Sequence, residues 1–208
     1  MNIPIVYEDD WLLIVDKPAG LLSVPTPKKE SRTLTSILNQ DAKDRGLNCS
    51  LYPCHRLDRE TSGLIIYAKG KSIENKMTDA FRNRQVSKKY IAFVHGKLAH
   101  PQGQIGFAIE GKSAITKYRV VQEKSNYSVV EVSPLTGRTN QIRIHFKGIQ
   151  HPLVGEDKFI FRKDFSLRFK RVCLHAKCLE FKHPQTGNVV AVESPLPEDM
   201  QKFLQDNN

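Results

Sequence analysis

Nowhere in the 208 residues is there an apolar run long enough to cross a membrane as a helix, which takes about 20 residues. Met1–Asp10 also lacks the basic-then-apolar order of a secretion signal. A cytoplasmic protein with no membrane partner is therefore expected. The glycine patterns that cradle phosphates are missing: neither G-x-x-x-x-G-K-[ST] nor G-x-G-x-x-G occurs. So are the zinc-hydrolase pattern H-E-x-x-H and the nucleophile elbow G-x-S-x-G. These absences exclude the familiar routes to nucleotide-driven, flavin-dependent and serine-hydrolase chemistry, and no cofactor is expected. Cysteine is sparse. The four residues Cys49, Cys54, Cys173 and Cys178 form two C-x4-C pairs, wider than usual structural zinc spacing. In an extended Cys173–Phe181 segment, positions five apart point to opposite faces. Reduced structural thiols are the expectation, and no metal.

What the chain has in excess is positive charge, with 32 Lys and Arg against 22 Asp and Glu and a formal net charge of +10. Such a surplus favours a polyanionic partner, because each neutralised phosphate releases a counterion. The plainer alternative is a soluble basic protein. Hydrophobic residues at 39% and charged residues at 26% fit a soluble globular domain. The length suits one domain with a sizeable core, so residues 1–208 are read as a single domain.

Apolar periodicity divides the chain into short elements. Ile3–Tyr7 and Trp11–Val15 read as strands joined at Glu8-Asp9-Asp10, and Lys17-Pro18-Ala19-Gly20 breaks the pattern before Leu21–Val24. Thr33–Lys43 reads as a helix, Arg45–Pro53 as irregular, and Leu64–Ala68 as a buried strand. Ser72–Arg84 reads as a helix capped by Ser72, followed by a Val86–Val94 strand and a loop over Gly96–Gly111. Ile115–Val121 and Tyr127–Val132 read as paired strands, and Thr139 as the cap of a helix burying Ile142, Phe146 and Ile149. Strands at Cys173–Phe181 and Val189–Val192 and a helix at Glu198–Leu204 finish the chain. Elements interspersed without a regular βαβ repeat predict an α+β fold: one domain on a mixed, largely antiparallel sheet flanked by helices, with a central catalytic cleft.

Two polar segments carry residues suited to chemistry. His55-Arg56-Leu57-Asp58-Arg59-Glu60-Thr61-Ser62-Gly63 runs into the mouth of a buried strand, where sites are often positioned. By composition alone it reads more readily as a surface loop fixed by an Asp–Arg pair and a Thr-Ser-Gly turn, which is the commoner case. Gly137-Arg138-Thr139-Asn140-Gln141-Ile142-Arg143 lies at a strand-to-helix junction suited to anions. There Arg143 sits at the edge of the buried face, within reach of a buried carboxylate, although both arginines equally suit a solvated helix start. In Lys158–Arg171, Phe161, Phe165 and Phe169 recur at helical spacing and read as packing, with the basic residues as phosphate contacts.

Taken together, these segments resemble a known family. HRLDRETSGL (His55–Leu64) resembles the HRLD-x-x-T-S-G signature of the RluA-type pseudouridine synthases, and GRTNQIRIH (Gly137–His145) resembles their G-R-T-H-Q-I-R helix start. Ile5–Pro25 resembles their N-terminal strands and K-P-x-G turn, and Lys88–Gly96 their K-x-Y strand. His151–Phe159 resembles the H-P-x-x-G-D segment, and Leu174–Gly187 the L-H-A strand and hairpin. These stretches follow the family's order across nearly the whole chain. Asn140 replaces the usual His, Glu156 the usual Asp and Phe159 a common Tyr; these are expected to leave the reacting residues untouched, with Asn140 bordering the site where it can alter rate or substrate preference. With only a short leader before Ile5, the S4-like module at the front of some relatives is not expected here.

The resemblance implies isomerisation of uridine in RNA to pseudouridine. Position by position it makes Asp58 the catalytic carboxylate, Arg143 its partner and Tyr90 the ring stacked on the target base. Leu174 becomes part of the apolar wall, Arg56 the residue filling the gap left by a flipped-out nucleotide, and Arg138 an RNA contact. A carboxylate beside the sugar can attack it or take a proton from the neighbouring ribose carbon, and the sequence leaves both routes open. Burial raises the pKa of such a carboxyl group, whereas an arginine keeps it ionised. The expected substrate is a hairpin loop of ribosomal or transfer RNA, where extruding a base costs least, and a monomer is the default. Two rivals remain at this point. One is a non-catalytic RNA-binding assembly factor on the same scaffold. The other is a zinc enzyme built on the cysteines with His55 or His175.

Overall fold

A computed structural model describes residues 2–160, 165 and 167–207. The chain divides into two compact units, Met1–Ser87 with Cys178–Ser194, and Lys88–Lys177 with Pro195–Asn208.

In the first unit, β1 (Ile5–Glu8) and β2 (Leu12–Lys17) form an antiparallel pair. The turn between them is built by Asp9, whose carboxylate accepts the backbone N–H groups of Trp11 (2.8 Å) and Leu12 (2.7 Å) and the Tyr7 hydroxyl (2.6 Å). An Asp side chain mimicking a backbone acceptor is why this acidic cluster turns the chain. Helix α1 (Leu34–Asp44) starts at Thr33 through a reciprocal capping box with Ser36. β3 (Leu51–Pro53) and β2 both pair antiparallel with β4 (Ser62–Lys69). β4 is buried along nearly its whole length, as its continuous apolar run requires. Its alternation splits the side chains between two faces. Leu64, Ile66 and Ala68 pack with Ile73 and Met77 of α2 (Lys71–Arg82), while the hydroxyl of Tyr67 meets Thr35 of α1 at 3.1 Å. The same core takes Leu179 and Phe181 from β9 (Leu174–Lys182) and Val190 and Val192 from β10 (Val189–Glu193), two strands paired antiparallel.

In the second unit, β5 (Ser87–His95), β8 (Tyr127–Pro134), β7 (Thr116–Glu123) and β6 (Gln102–Ile105) lie side by side in that order, each pair antiparallel. One face packs Phe93, Tyr127 and Val129 against Met200 and Phe203 of α4 (Glu198–Asp206). On the other face the ring of Tyr118 meets Phe146 of α3 (Gln141–Gly148) at 5.7 Å. These units bear out the expected α+β class, with antiparallel strands flanked by helices. Among the described residues no helix is long and apolar enough to cross a membrane.

Several boundaries differ from the sequence reading. Gly70 rather than Ser72 precedes α2, and no side chain caps it. Asn140 rather than Thr139 precedes α3, in the left-handed conformation with φ 54°. β3 and β6 form within segments read as irregular, because both are short edge pieces without a distinctive apolar pattern. The Phe161–Phe165–Phe169 stripe falls partly on residues 161–164 and 166, outside the described residues. Phe165 and Phe169 do pack, against His95 (4.3 Å) and Phe203 (5.3 Å), but neither lies in a helix.

Because the Asp9 carboxylate satisfies two turn N–H groups at once, Asp9→Ala is expected to lower stability by about 1–3 kcal/mol in urea unfolding. An unchanged midpoint would show that the turn holds without it.

Candidate functional site

The first unit supplies Asp58 and Arg56. They lie in the connection between β3 and β4, with Arg56 exposed, Leu57 buried and Asp58 half-buried. The turn is closed locally by the Thr61 N–H donating to the Asp58 carbonyl at 3.1 Å. It is also fastened to the segment after β2. The Gly20 N–H donates to the Arg59 carbonyl at 2.8 Å, and Arg59 Nε returns a bond to the Gly20 carbonyl at 3.1 Å. The polar stretch thus has a fixed backbone although it belongs to no helix or strand. Upstream, His55 Nε2 accepts the Ile66 N–H at 3.1 Å, which orients the ring against Phe81 at 4.8 Å. A nitrogen whose lone pair is engaged this way is not open to a metal. Among the described residues no three His, Cys, Asp or Glu side chains gather into a set able to hold one.

The second unit supplies Tyr90, Arg138, Arg143 and Leu174. Tyr90 is buried on β5 and stands opposite Val132, which stands opposite Tyr118. Cross-strand partners share a face, so Tyr90 looks to the side that α3 covers through the Tyr118–Phe146 contact. Sheet register therefore brings Tyr90 and the helix of Arg143 to one face. Leu174 opens β9 and is buried. Arg138 is exposed, with its Nε tied to the Ser113 carbonyl at 3.1 Å and its backbone N–H to Gln141 Oε1 at 3.0 Å. Gln141 is itself held by Thr136, Thr116 and the Ile115 carbonyl, so the exposed arginine stands on a buried polar anchor.

Arg143 is buried, not a solvated helix-start residue, and it meets a buried carboxylate. Within its own unit that carboxylate is Glu156, met by two parallel bonds, Nε to Oε2 at 2.7 Å and Nη2 to Oε1 at 2.6 Å. Such a fork-to-fork pair fixes the plane of the guanidinium as well as its position. Nη1 donates to Asn140 Oδ1 at 3.2 Å, and the ring of Phe159 lies 5.2 Å from the guanidinium carbon, within cation–π range. Glu156 Oε1 also accepts the backbone N–H groups of Asp157, Lys158 and Phe159. Burial pushes the Glu156 pKa up, but the Arg143 bonds and charge, with the backbone donors, outweigh it and hold the group below its ordinary value.

This corrects the expectation that the three departures from the family pattern leave the reacting residues alone. Asn140, Glu156 and Phe159 all touch Arg143. The signal was in the sequence, since three departures fell in two short segments, but nothing in their spacing said that both meet one side chain. A cavity of about 40 Å³ lined by His95, Glu156, Phe165 and Arg168 lies close by. His95 in its wall is buried, and this burial, with the charge of Arg168, lowers its pKa to about 4, leaving it neutral near pH 7.

Comparison with known proteins gives this arrangement its context. Residues 11–148 match the family described as RNA pseudouridylate synthase, a span that includes Arg56, Asp58, Tyr90, Arg138 and Arg143. The uncharacterised RNA pseudouridine synthase YlyB of Bacillus subtilis is 36% identical, over 99% of this chain and 73% of its own length. The dual-specificity RNA pseudouridine synthase RluA of Haemophilus influenzae is 34% identical over 90% of each chain. Among solved structures, human RNA pseudouridylate synthase domain containing 4 superposes with a TM-score of 0.81 over 97% of this chain and 92% of that one, at 24% identity.

Glu156→Gln is expected to cost about 3–5 kcal/mol, because it breaks a buried, bidentate ion pair by neutralising one partner. The sign with pH follows from the lowered pKa of Glu156. Its stabilisation is complete above the ordinary value of 4.5 and is lost as pH falls through the folded value. The gap between wild type and variant should therefore close in acid. A gap that stays constant down to pH 2 would contradict the pairing.

Proposed function

The chain belongs to the RNA pseudouridylate synthase family, and from that membership we propose that its two units act as one catalytic domain that isomerises uridine in structured RNA. Family membership supports the catalytic reading over an RNA-binding factor without activity. The observation that carries the proposal is the coincidence of the HRLD turn, with Asp58 on an immobilised backbone, and the Arg143 helix inside one continuous family match.

In the reaction the bond from ribose C1′ to uracil N1 breaks, the ring turns, and a bond forms from C1′ to C5. N1 gains a proton and C5 loses one, so the balance needs no oxidant, reductant or water. Asp58 is the group assigned to the sugar, either as a nucleophile at C1′ or as a base on the neighbouring carbon. Arg143 keeps that carboxylate charged, Tyr90 stacks on the uracil, and Leu174 keeps water out, since hydrolysis would leave an abasic site. Arg56 and Arg138, exposed and cationic, suit RNA. Arg56 takes up the space that the flipped nucleotide vacates, and Arg138 contacts the phosphate chain. A net charge of +10 supplies the long-range attraction. The substrate class is a compact hairpin loop of ribosomal or transfer RNA, bound by a monomer, because an unpaired base is cheaper to extrude than a stacked one.

Deleting the gene and mapping pseudouridine across ribosomal and transfer RNA should remove one or a few positions, all in hairpin loops. The wild-type gene should restore them and an Arg143→Ala gene should not. No lost position, or full restoration by Arg143→Ala, would overturn the proposal.

A further inference from the structure

The turn that carries Asp58 is gripped immediately before and immediately after that residue by one short segment, Lys17–Ser23. After it, the Arg59 carbonyl accepts both the Gly20 N–H (2.8 Å) and the Lys17 ammonium (3.2 Å). Lys17 is fully buried, and its ammonium also donates to the carbonyls of Pro18 (2.9 Å) and Leu21 (2.8 Å). Before it, the buried Ser23 hydroxyl uses both of its capacities on one residue. It donates to the Leu57 carbonyl at 2.8 Å and accepts the Leu57 N–H at 3.1 Å. Ser23 is anchored in turn, since its carbonyl accepts the Thr35 N–H (3.2 Å) and the Thr35 hydroxyl (2.8 Å) in the first turn of α1.

We propose that Ser23 is a positioning residue that sets the direction in which the Asp58 carboxylate projects. Two bonds to Leu57 fix the rotation of the chain on either side of that residue, and the next Cα–Cβ vector is that of Asp58. Lys17 and Gly20 hold the carbonyl on the far side, so Ser23 governs the near side. A misplacement of about 1 Å at a reacting group costs on the order of a hundredfold in rate. The inference rests on Asp58 being the catalytic carboxylate.

The test uses the full chain and bulk RNA, labelled with tritium at uracil C5, from cells lacking the gene; release of the C5 hydrogen reports turnover. Ser23→Ala should lower the single-turnover rate about tenfold to a hundredfold while the RNA concentration giving half-saturation changes less than about twofold. Ser23→Thr, which keeps the hydroxyl, should recover most of the rate. Should Ser23→Ala fail to fold, the near-isosteric Ser23→Cys, a poor hydrogen-bonding partner, serves in its place with the same expected drop. Asp9→Ala, at the opposite end of β2, provides a variant of lowered stability that should keep the wild-type rate in its folded form. A Ser23→Ala rate equal to wild type, or one matched by Asp9→Ala at equal loss of melting temperature, would overturn the proposal. Turnover by Asp58→Asn would instead overturn the assignment of Asp58, and so separates the two failures.

Discussion

A carboxylate that must meet one sugar carbon cannot sit on a loose chain, and the turn bearing Asp58 has neither helix nor strand to stiffen it. Its rigidity comes from polar groups taken out of water and aimed at backbone atoms. Lys17 and Gly20 hold the Arg59 carbonyl, Ser23 holds both backbone groups of Leu57, and Thr61 closes on Asp58 itself. Burying a lysine ammonium is costly, and three carbonyl acceptors offset that cost only if all of them are present. The K-P-A-G-L-L-S segment and the H-R-L-D-R segment, distant in sequence, are thus one structural device.

The second unit repeats this logic with charge. Arg143 is buried, so its guanidinium needs partners out of water; Glu156 and Asn140 take bonds from it, and the Phe159 ring lies within cation–π range. The pair does not imply high stability, because desolvation of both ions consumes most of the attraction. What it gives is orientation: the guanidinium plane is set before any substrate arrives. Preorganisation of this kind contributes most where charge must stay put during reaction.

Much of this was legible in the sequence where a signal is local. The buried β4 strand, the Asp9 turn and the core face of α2 each follow from residues adjacent in the chain. The HRLD turn and the Arg143 helix start drew notice as polar segments beside apolar runs, but only the family resemblance separated them from ordinary surface ion-pair segments. What was not legible is what depends on distant partners. That Ser23 holds Leu57, or that Glu156 closes on Arg143, follows from tertiary packing and leaves no periodic trace. β3 and β6 were missed for the same reason, since short edge pieces owe their strand form to a neighbour. The resemblance to a family located the residues; the hydrogen bonds explain how they are held.

The central claim is that one carboxylate performs the chemistry, and Asp58→Asn tests it most directly. The substitution keeps the size and most of the hydrogen-bonding shape of the side chain while removing its charge and basicity. Tritium release from uracil-C5-labelled RNA should vanish while RNA binding stays within a few-fold of wild type. Continued release of tritium by that variant, with pseudouridine in the product, would contradict the account.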